Sequence, residues 1–571
     1  MRGVKSKEPK LGVVLCTCDN TIGKNIDMNE LEKRLKDRPD WIFVKRHDKL
    51  CTKEGQQFLK DEISSAGVER VVIVGCTPRT YGDILKKGAI EAGINEYLIE
   101  NVNIREQCDW IHREEGAATD KAEALVLGGV ARVISAFSVE DKSVLLPNGN
   151  DVLIIGGGLA GITSALDLVK KGLNVHLVER ESKLGGRAYE LDPEALKEED
   201  LSLPNMDELT GSINADIMLE SEVEEITGTL GDYHVSINTK EGLKELVVGV
   251  IIIATGSDLF DASKIPEYRY EYDDVIDFYQ LEKMLAKKAI KVPSTGKVPK
   301  RVNFIQCVGS RDDNKGNHHC SLVCCTYAIR QAKRIKSLSP ETQVYIHYMD
   351  LRGPDNGFEE DYLDAQKKGV YFIRGRVAEV LRDEGSLILR TEHIELGEIM
   401  AFKSDLVVLA VGQEAAKGTI KLAKMVHLPL DVDGFMGYYN DRYDIIDRRG
   451  VSLAGCVQGP RSIKKSISDA KKSAFEVAHI LKNGFKVRSV HSVIDESRCM
   501  GCSLCEGLCP YEAISMKIVK NHITEEVKLV SNVDLATCQG CGACAMACPG
   551  GVPELVGFSN KEILAQIDEV C

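Results

Sequence analysis

Nowhere in the 571 residues does an apolar run approach the roughly 20 residues a membrane helix needs, so any membrane contact is expected through a partner. The start, MRGVKSKEPKLGVVLC, has basic residues before a short apolar run, but that run is too short for a signal-peptide core and no small-residue cleavage site follows. A cytoplasmic protein is expected. Basic charge is scarce too: 73 Lys and Arg against 87 Asp and Glu leave a net charge of −14, without the dense basic face that nucleic acid requires. No segment has the texture of a long disordered tail. What the chain has in abundance is cysteine, 19 of them. In a large chain without a secretion signal, metal or redox use explains them better than a disulfide framework.

Residues 1–148 alternate strands (11–16, 41–45, 70–75) with amphipathic helices near 55–66, 82–92 and 119–136, which predicts a small α/β domain. Pro147-Asn148-Gly149-Asn150 reads as a linker into a second α/β domain, 149–488, in which 190–212 and 258–300 read as surface excursions. From 489 to 571 the chain turns into short cysteine-dense repeats.

The most specific motif is in that last part. Cys499-x-x-Cys502-x-x-Cys505-x-x-x-Cys509-Pro510 is followed by Cys538-x-x-Cys541-x-x-Cys544-x-x-x-Cys548-Pro549. Three thiolates on one tight loop cap three irons of a cubane, and the fourth cysteine reaches the other cluster. A bacterial-type two-cluster ferredoxin domain follows, with Cys499, Cys502, Cys505 and Cys548 on one [4Fe–4S] cluster and Cys538, Cys541, Cys544 and Cys509 on the other. Zinc knuckles would not explain the two Cys-Pro endings.

DVLIIGGGLAGITSALDLVKKGLNVHLVER (151–180) is a strand, glycine turn, helix and second strand ending in an acid. Gly156, Gly158 and Gly161 fit G-x-G-x-x-G, with Leu159 and Ala160 opening the helix and Glu179 placed to bond ribose hydroxyls. Further candidate cofactor contacts are Arg180, Lys183, Gly185, Gly186, Arg187, Val223, the strand end Ala254, Thr255 and Gly256, and the late turn Gly455, Cys456, Gln458, Gly459 and Pro460. This set resembles the two-dinucleotide flavoproteins of the thioredoxin reductase type, which implies FAD. A second glycine fingerprint for a nicotinamide is missing: RVNFIQCVGSRDD (301–313) has only Gly309 and then cysteines. Electrons must then come from elsewhere, and the ferredoxin module supplies a source.

Cys307, Cys320, Cys324 and Cys325 occupy the segment that replaces the nicotinamide site. By spacing they suit a third cluster, a catalytic dithiol at Cys324 and Cys325, or plain burial. His318 and His319 precede Cys320 as ligands, tuning groups or solvated loop residues. Cys16, Cys18 and Cys76 sit at or just after strand ends, so they can converge at one sheet edge. With Cys51 and Cys108 they make five thiols in a small domain, for a further cluster or for the core. Cys571 is expected to be unligated.

The order of these parts, with CVGSRD…CSLVCC, LAGCVQGP and NIREQC, resembles the HdrA-type iron–sulfur flavoprotein subunit of heterodisulfide reductase over nearly the whole chain. The resemblance implies a cluster on Cys307, Cys320, Cys324 and Cys325 beside the flavin, and one drawn from Cys16, Cys18, Cys51, Cys76 and Cys108. It implies an oxidoreductase subunit acting on sulfur groups, whose FAD bifurcates electron pairs between ferredoxin and a disulfide-reducing partner. The implied partners are the HdrB- and HdrC-type subunits of heterodisulfide reductase, an electron-input subunit of hydrogenase or formate dehydrogenase type, ferredoxin, and a second copy forming a dimer core. Two departures stand out. Relatives often insert a ferredoxin domain after the G-G-R segment, absent from 188–222 here, and they commonly place Lys where this chain has Arg330. Arg330 is the candidate catalytic cation near the flavin; unlike Lys, it cannot give up a proton. A non-bifurcating relay and scaffold, or a stand-alone disulfide reductase using Cys324 and Cys325, are the alternatives.

Overall fold

Strands covered on both faces must be continuous apolar runs, and Leu11–Cys16 is buried along its whole length. It pairs in parallel with Phe43–His47 on one side and Arg70–Gly75 on the other, and Ile99–Asn103 completes a four-stranded sheet. That fourth strand, IENVN, is missing from the sequence reading because its polar residues break the apolar run at a half-covered sheet edge. The strand order reverses between Leu11–Cys16 and Arg70–Gly75, so their carboxyl ends open a crevice of the kind that holds ligands in doubly wound sheets.

The computed structural model describes residues 9–38, 41–139, 143–144, 149–191, 196, 202–315, 317–383, 385–437, 450–486, 490–520, 527–535 and 537–570. Pro147 and Asn148 of the expected linker, part of the 190–212 excursion, and Cys571 lie outside them. Two compact units form, Met1–Val144 with Lys486–Cys571, and Leu145–Phe485. In the first, helix Asn560–Val570 lies on helix Glu115–Ser135, where a Cβ on Gly128 would stand 2.5 Å from Val570. Arg132 adds a hydrogen bond to the Gly557 carbonyl at 3.2 Å and stacks 4.9 Å from the Phe558 ring. The cysteine-rich part of this unit consists of the hairpin Ile514–Lys520 and Val527–Val533, the short pair Ser492–Ile494 and Pro553–Leu555, and two one-turn helices.

The second unit contains two parallel five-stranded sheets. One runs Val451–Leu453, Val250–Ile253, Asp151–Ile155, Asn174–Val178, Ala215–Met218. The other runs Val275–Asp277, Leu406–Val411, Arg301–Val308, Gln343–Tyr348, Val370–Arg374. Each carries a three-stranded antiparallel sheet, and Ser257–Leu259 pairs with Gln413–Ala415 between them. The second sheet thus keeps a dinucleotide-type fold without the fingerprint. The segment 258–300 departs from the surface excursion expected of it. It supplies the edge strand Val275–Asp277 and helix Phe278–Ala286, started by a reciprocal Asp277–Gln280 capping box and buried through Leu281 and Leu285. Its prolines lie outside both elements. Among the described residues no helix is long and apolar enough to cross a membrane.

Candidate functional site

Strand Asp151–Ile155 turns at Gly156, at φ +109°, into helix Leu159–Val169. A Cβ on Gly161 would stand 1.9 Å from the Gly156 carbonyl, and one on Gly156 2.5 Å from that of Ala254, so both glycines are required by the turn itself. Gly158 is different. Its backbone is extended (φ −80°), and a Cβ there would meet no described atom within 4 Å. The space it leaves is a cradle at a helix N-terminus, where a phosphate group fits.

A cavity of about 420 Å³ opens from this cradle, within the size range of ligand sites. Twelve residues singled out by the sequence line it: Gly156, Gly158, Leu159, Ala160, Glu179, Arg180, Gly186, Arg187, Ala254, Thr255, Gly256 and Cys456. Glu179 is held by the N–H groups of Gly157 (2.6 Å) and Glu181 (2.8 Å), and Arg187 by the Ser257 carbonyl (2.6 Å). Thr255 Oγ1, Gln331 Oε1 and Gln413 Oε1 are buried in the wall without a hydrogen-bond partner among the described residues. Orphaned acceptors beside a phosphate cradle suit a large polar ligand with its own donors, which FAD is.

The other expected contacts stand back from this cavity. Gly161 lies beneath the turn, Gly185 donates to the Gly157 carbonyl at 2.9 Å, and Gln458 donates to the Leu453 carbonyl at 3.0 Å. Gly455, Gly459 and Pro460 shape the turn after Val451–Leu453. Lys183 lies 3.6 Å from Glu190, and Val223 lines an adjoining cavity. Arg330 pairs with Asp361 at 3.5 Å and lines a separate small cavity with Tyr327 and Asp355. The far wall is what sequence reasoning missed: Phe278, Tyr279, Glu282, Tyr327, Gln331 and Gln413. The capping box before Phe278 was the available signal.

Cys307 and Cys325 hydrogen-bond to Cys324, which holds the Cys324 thiol well below its ordinary value and pushes theirs up. Cys320 accepts from the Leu322 N–H at 3.4 Å, and the Arg311 guanidinium acts on both Cys307 and Cys320 while pairing with Asp350. Cys307, Cys324 and Cys325 thus pack together, and the Arg311 cation links Cys307 to Cys320. His319 meets the Gln413 carbonyl through Nε2 at 2.7 Å, while its buried Nδ1 lies 3.1 Å from Asp433 Oδ1 without forming a hydrogen bond. His318 pairs with Asp313 at 2.7 Å.

In the first unit, Cys16 ends one strand at the crevice and Cys76 follows its neighbour. Cys18 and Cys51 act electrostatically on Cys16, and Cys16 and Cys18 on Cys76. Burial pushes Cys76 up to about 11, against the opposing pull of Arg105, which contacts both Cys76 and Cys18. Cys108 shares an apolar cluster with Cys76, but no other thiol acts on it. It sits fully enclosed in the apolar core with Ile104, Ala118 and Ala122, and burial raises it to about 11. One π-helical turn, Arg105–Asp109, sends Arg105 to the thiols and Cys108 to the core.

In the cysteine-rich part, one small cavity is lined by Cys509, Cys538, Cys541 and Cys544 together. Cys499 and Cys548 pack in one cluster with Val530 and Val552. Cys499, Cys538 and Cys509 accept main-chain N–H bonds from Ser531 (3.5 Å), Ser492 (3.5 Å) and Ala513 (3.3 Å). Burial is the largest single influence and acts to raise Cys499, but the Ser531 and Gly501 N–H groups, the Ser531 hydroxyl and the Lys528 charge together lower it. Among the described residues no three His, Cys, Asp or Glu side chains are gathered tightly enough for a single metal ion. A cubane separates its thiolates by the width of the cluster, and sulfurs already supplied with N–H donors suit it.

Residues 150–302 match the family model described as pyridine nucleotide-disulphide oxidoreductase, and 484–552 match a 4Fe-4S dicluster domain. The HdrA iron–sulfur subunit of CoB–CoM heterodisulfide reductase from Methanocaldococcus jannaschii is 34% identical, covering 98% of each chain. That alignment spans 656 positions, more than this chain has, so the relative carries residues without a counterpart here. An HdrA iron–sulfur subunit from Methanopyrus kandleri is 32% identical over 89% of this chain and 90% of its own. The corresponding HdrA subunit of the H2:CoB–CoM heterodisulfide,ferredoxin reductase of Methanothermobacter thermautotrophicus is 32% identical over 90% and 91%. The chain belongs to the HdrA family of heterodisulfide reductase iron–sulfur subunits.

Proposed function

We propose that this subunit holds one FAD and four [4Fe–4S] clusters and divides electron pairs between a ferredoxin-type carrier and a disulfide-reducing partner in a cytoplasmic complex. As a family member it is an FAD- and iron–sulfur-dependent oxidoreductase subunit, linking ferredoxin-type carriers to disulfide reduction. The proposed ligand sets are Cys499, Cys502, Cys505 and Cys548; Cys538, Cys541, Cys544 and Cys509; Cys307, Cys320, Cys324 and Cys325; and Cys16, Cys18, Cys51 and Cys76. The observation that carries the reading is the cavity in which one cysteine of the first run meets three of the second, the exchange a two-cluster ferredoxin requires.

FAD, when bound, supplies the exchange between electron pairs and single electrons. The protein's part is to hold its phosphates at Gly158, meet its polar groups with Thr255, Gln331 and Gln413, and keep a thiol set nearby. His319 ties the Cys320 loop to Gln413 at the cavity wall, which supports a short path between the third thiol set and the flavin. The enclosure of Cys324, 2% exposed, supports a ligand role over attack on an external disulfide. Division of the pair is supported by the relative whose name joins two acceptors, heterodisulfide and ferredoxin. HdrB- and HdrC-type partners, a hydrogenase- or formate-dehydrogenase-type input and a dimer core complete the proposal; hydrogen and formate appear in the name of a Methanococcus maripaludis relative.

Anaerobically purified full-length protein should carry about 16 iron and 16 sulfide per chain, with one FAD. Half that iron would remove the third and fourth thiol sets from the proposal. An equilibrium reductive titration of the FAD should show a single two-electron transition, and two resolved one-electron waves would sink pair division.

A further inference from the structure

The cysteine spacing singles out no serine, yet two serines occupy matching places around the C-terminal thiols. Ser492 and Ser531 each stand seven residues before the first cysteine of a run, Cys499 and Cys538 respectively, and each reaches into the opposite run. Ser531 donates its N–H to Cys499 at 3.5 Å, and its hydroxyl oxygen lies 3.0 Å from Cys505 Sγ and 3.8 Å from Cys499 Sγ. It also lies 3.5 Å from Met516 Sδ. Ser492 donates its N–H to Cys538 at 3.5 Å, and its hydroxyl oxygen lies 3.3 Å from Cys544 Sγ. Both serines are almost wholly enclosed, 1% and 3% exposed, so bulk water does not compete for these contacts. The match follows from the pseudo-symmetry of the fold: each serine sits on a strand, Ser492–Ile494 or Val527–Val533, that runs beside the other motif's loop.

A ligating thiolate has no proton of its own, so the only hydrogen available between oxygen and sulfur is the hydroxyl's. Reduction adds one negative charge, spread over the cluster and its thiolates. A donor at the sulfur stabilises the reduced form more than the oxidised one, and hydrogen bonds to sulfur are among the levers that set cluster potentials. We propose that Ser531 and Ser492 are potential-setting residues: Ser531 for the cluster on Cys499, Cys502, Cys505 and Cys548, and Ser492 for the cluster on Cys509, Cys538, Cys541 and Cys544. The proposal rests on those ligand sets. Nothing in the run spacing distinguishes the two clusters, so the two hydroxyls give the chain a separate handle on each.

The test is a redox titration of the full-length protein followed by electron paramagnetic resonance, with Cys502→Ser and Cys541→Ser marking which signal belongs to which cluster. Ser531→Ala should lower the midpoint of the Cys502-marked cluster alone, reducing its reduced-to-oxidised ratio at fixed potential by about threefold to tenfold. Ser492→Ala should do the same to the Cys541-marked cluster. Ser531→Thr and Ser492→Thr, which keep the hydroxyl, should restore the original midpoints, with iron and sulfide unchanged throughout. Unmoved midpoints, or shifts in the wrong cluster, overturn the assignment of the serines. Loss of a cluster from an alanine variant overturns tuning in favour of a structural role. If neither cysteine marker alters its signal or the iron content, the ligand sets themselves fall, and the serine proposal with them.

Discussion

Gln331 donates through Nε2 to the Glu282 carboxylate at 2.9 Å, and its second amide hydrogen goes to the Phe278 carbonyl at 2.7 Å. With both hydrogens committed, the side chain cannot flip, and its buried Oε1 remains as a pure acceptor on the cavity wall. The FAD ring system carries N–H groups that can meet it. Gln331→Leu removes the acceptor, and the FAD dissociation constant should rise about threefold to tenfold. Flavin fluorescence titration measures it. An unchanged affinity would show that Oε1 faces no part of the ligand.

The glycine turn offers a sharper separation of folding from binding. Gly161→Ala forces a Cβ to within 1.9 Å of the Gly156 carbonyl, so the turn must distort, and both thermal stability and FAD binding should suffer. The Cβ of Gly158→Ala meets no described atom of the protein, so the apoprotein should melt within about 1 °C of wild type while FAD occupancy collapses. A Gly158→Ala variant that binds FAD normally would remove the phosphate group from this cradle.

These contrasts show what the linear sequence could carry. Cys499 to Cys548 and the turn at Gly156 are legible because their chemistry is written in contiguous spacing. The far wall of the cavity is not, because Tyr279, Glu282 and Gln331 come from two separate helices, one of them in a segment whose polar texture masks Leu281 and Leu285. Cys108 looks equivalent to Cys76 in sequence. Only the π-helical turn Arg105–Asp109 encloses Cys108 fully while Arg105, three residues before it, faces the thiols. Helix Asn560–Val570 reads as the end of a ferredoxin, and its packing on Glu115–Ser135 depends on a long-range match at Gly128 that no local pattern encodes.

Acid sensitivity has an identifiable source in the second unit. His347 is enclosed, with Nε2 donating to Asn303 Oδ1 at 2.9 Å and Nδ1 accepting from Thr391 at 3.2 Å, so it is neutral. Burial lowers its pKa from 6.5 to about 3. Above 6.5 neither the folded nor the unfolded chain protonates this group, and its contribution is intact. Between 6.5 and about 3 the unfolded chain binds a proton that the folded chain refuses, so stability falls as pH falls, by at most about 1.4 kcal/mol per pH unit. Urea unfolding at pH 7 and pH 5, followed by flavin release, should show this loss. His347→Gln should flatten it by up to about 2 kcal/mol over that interval; an identical slope in the variant would assign the sensitivity elsewhere.

The N-terminal thiols provide the last test, because four of them are linked by thiol–thiol interactions and the fifth is not. Cys18 and Cys51 act on Cys16, and Cys16 and Cys18 act on Cys76, whereas no other thiol acts on Cys108, which is fully enclosed in the apolar core whose edge Cys76 also joins. Cys18→Ser or Cys76→Ser should therefore cost about four iron and four sulfide per chain and leave the remaining clusters spectroscopically intact. Cys108→Ser should leave the iron content whole but put a hydroxyl into a closed core, so its cost should appear in thermal stability instead, at about 1–3 kcal/mol. Arg105 adds a graded readout: it touches Cys18 and Cys76, and Arg105→Met removes that cation while keeping most of the side-chain bulk. A cluster at this place should then reduce at lower potential with its iron retained, since a nearby positive charge favours the more negative state. Loss of iron from Cys108→Ser, with none lost from Cys18→Ser, would exchange the assignments.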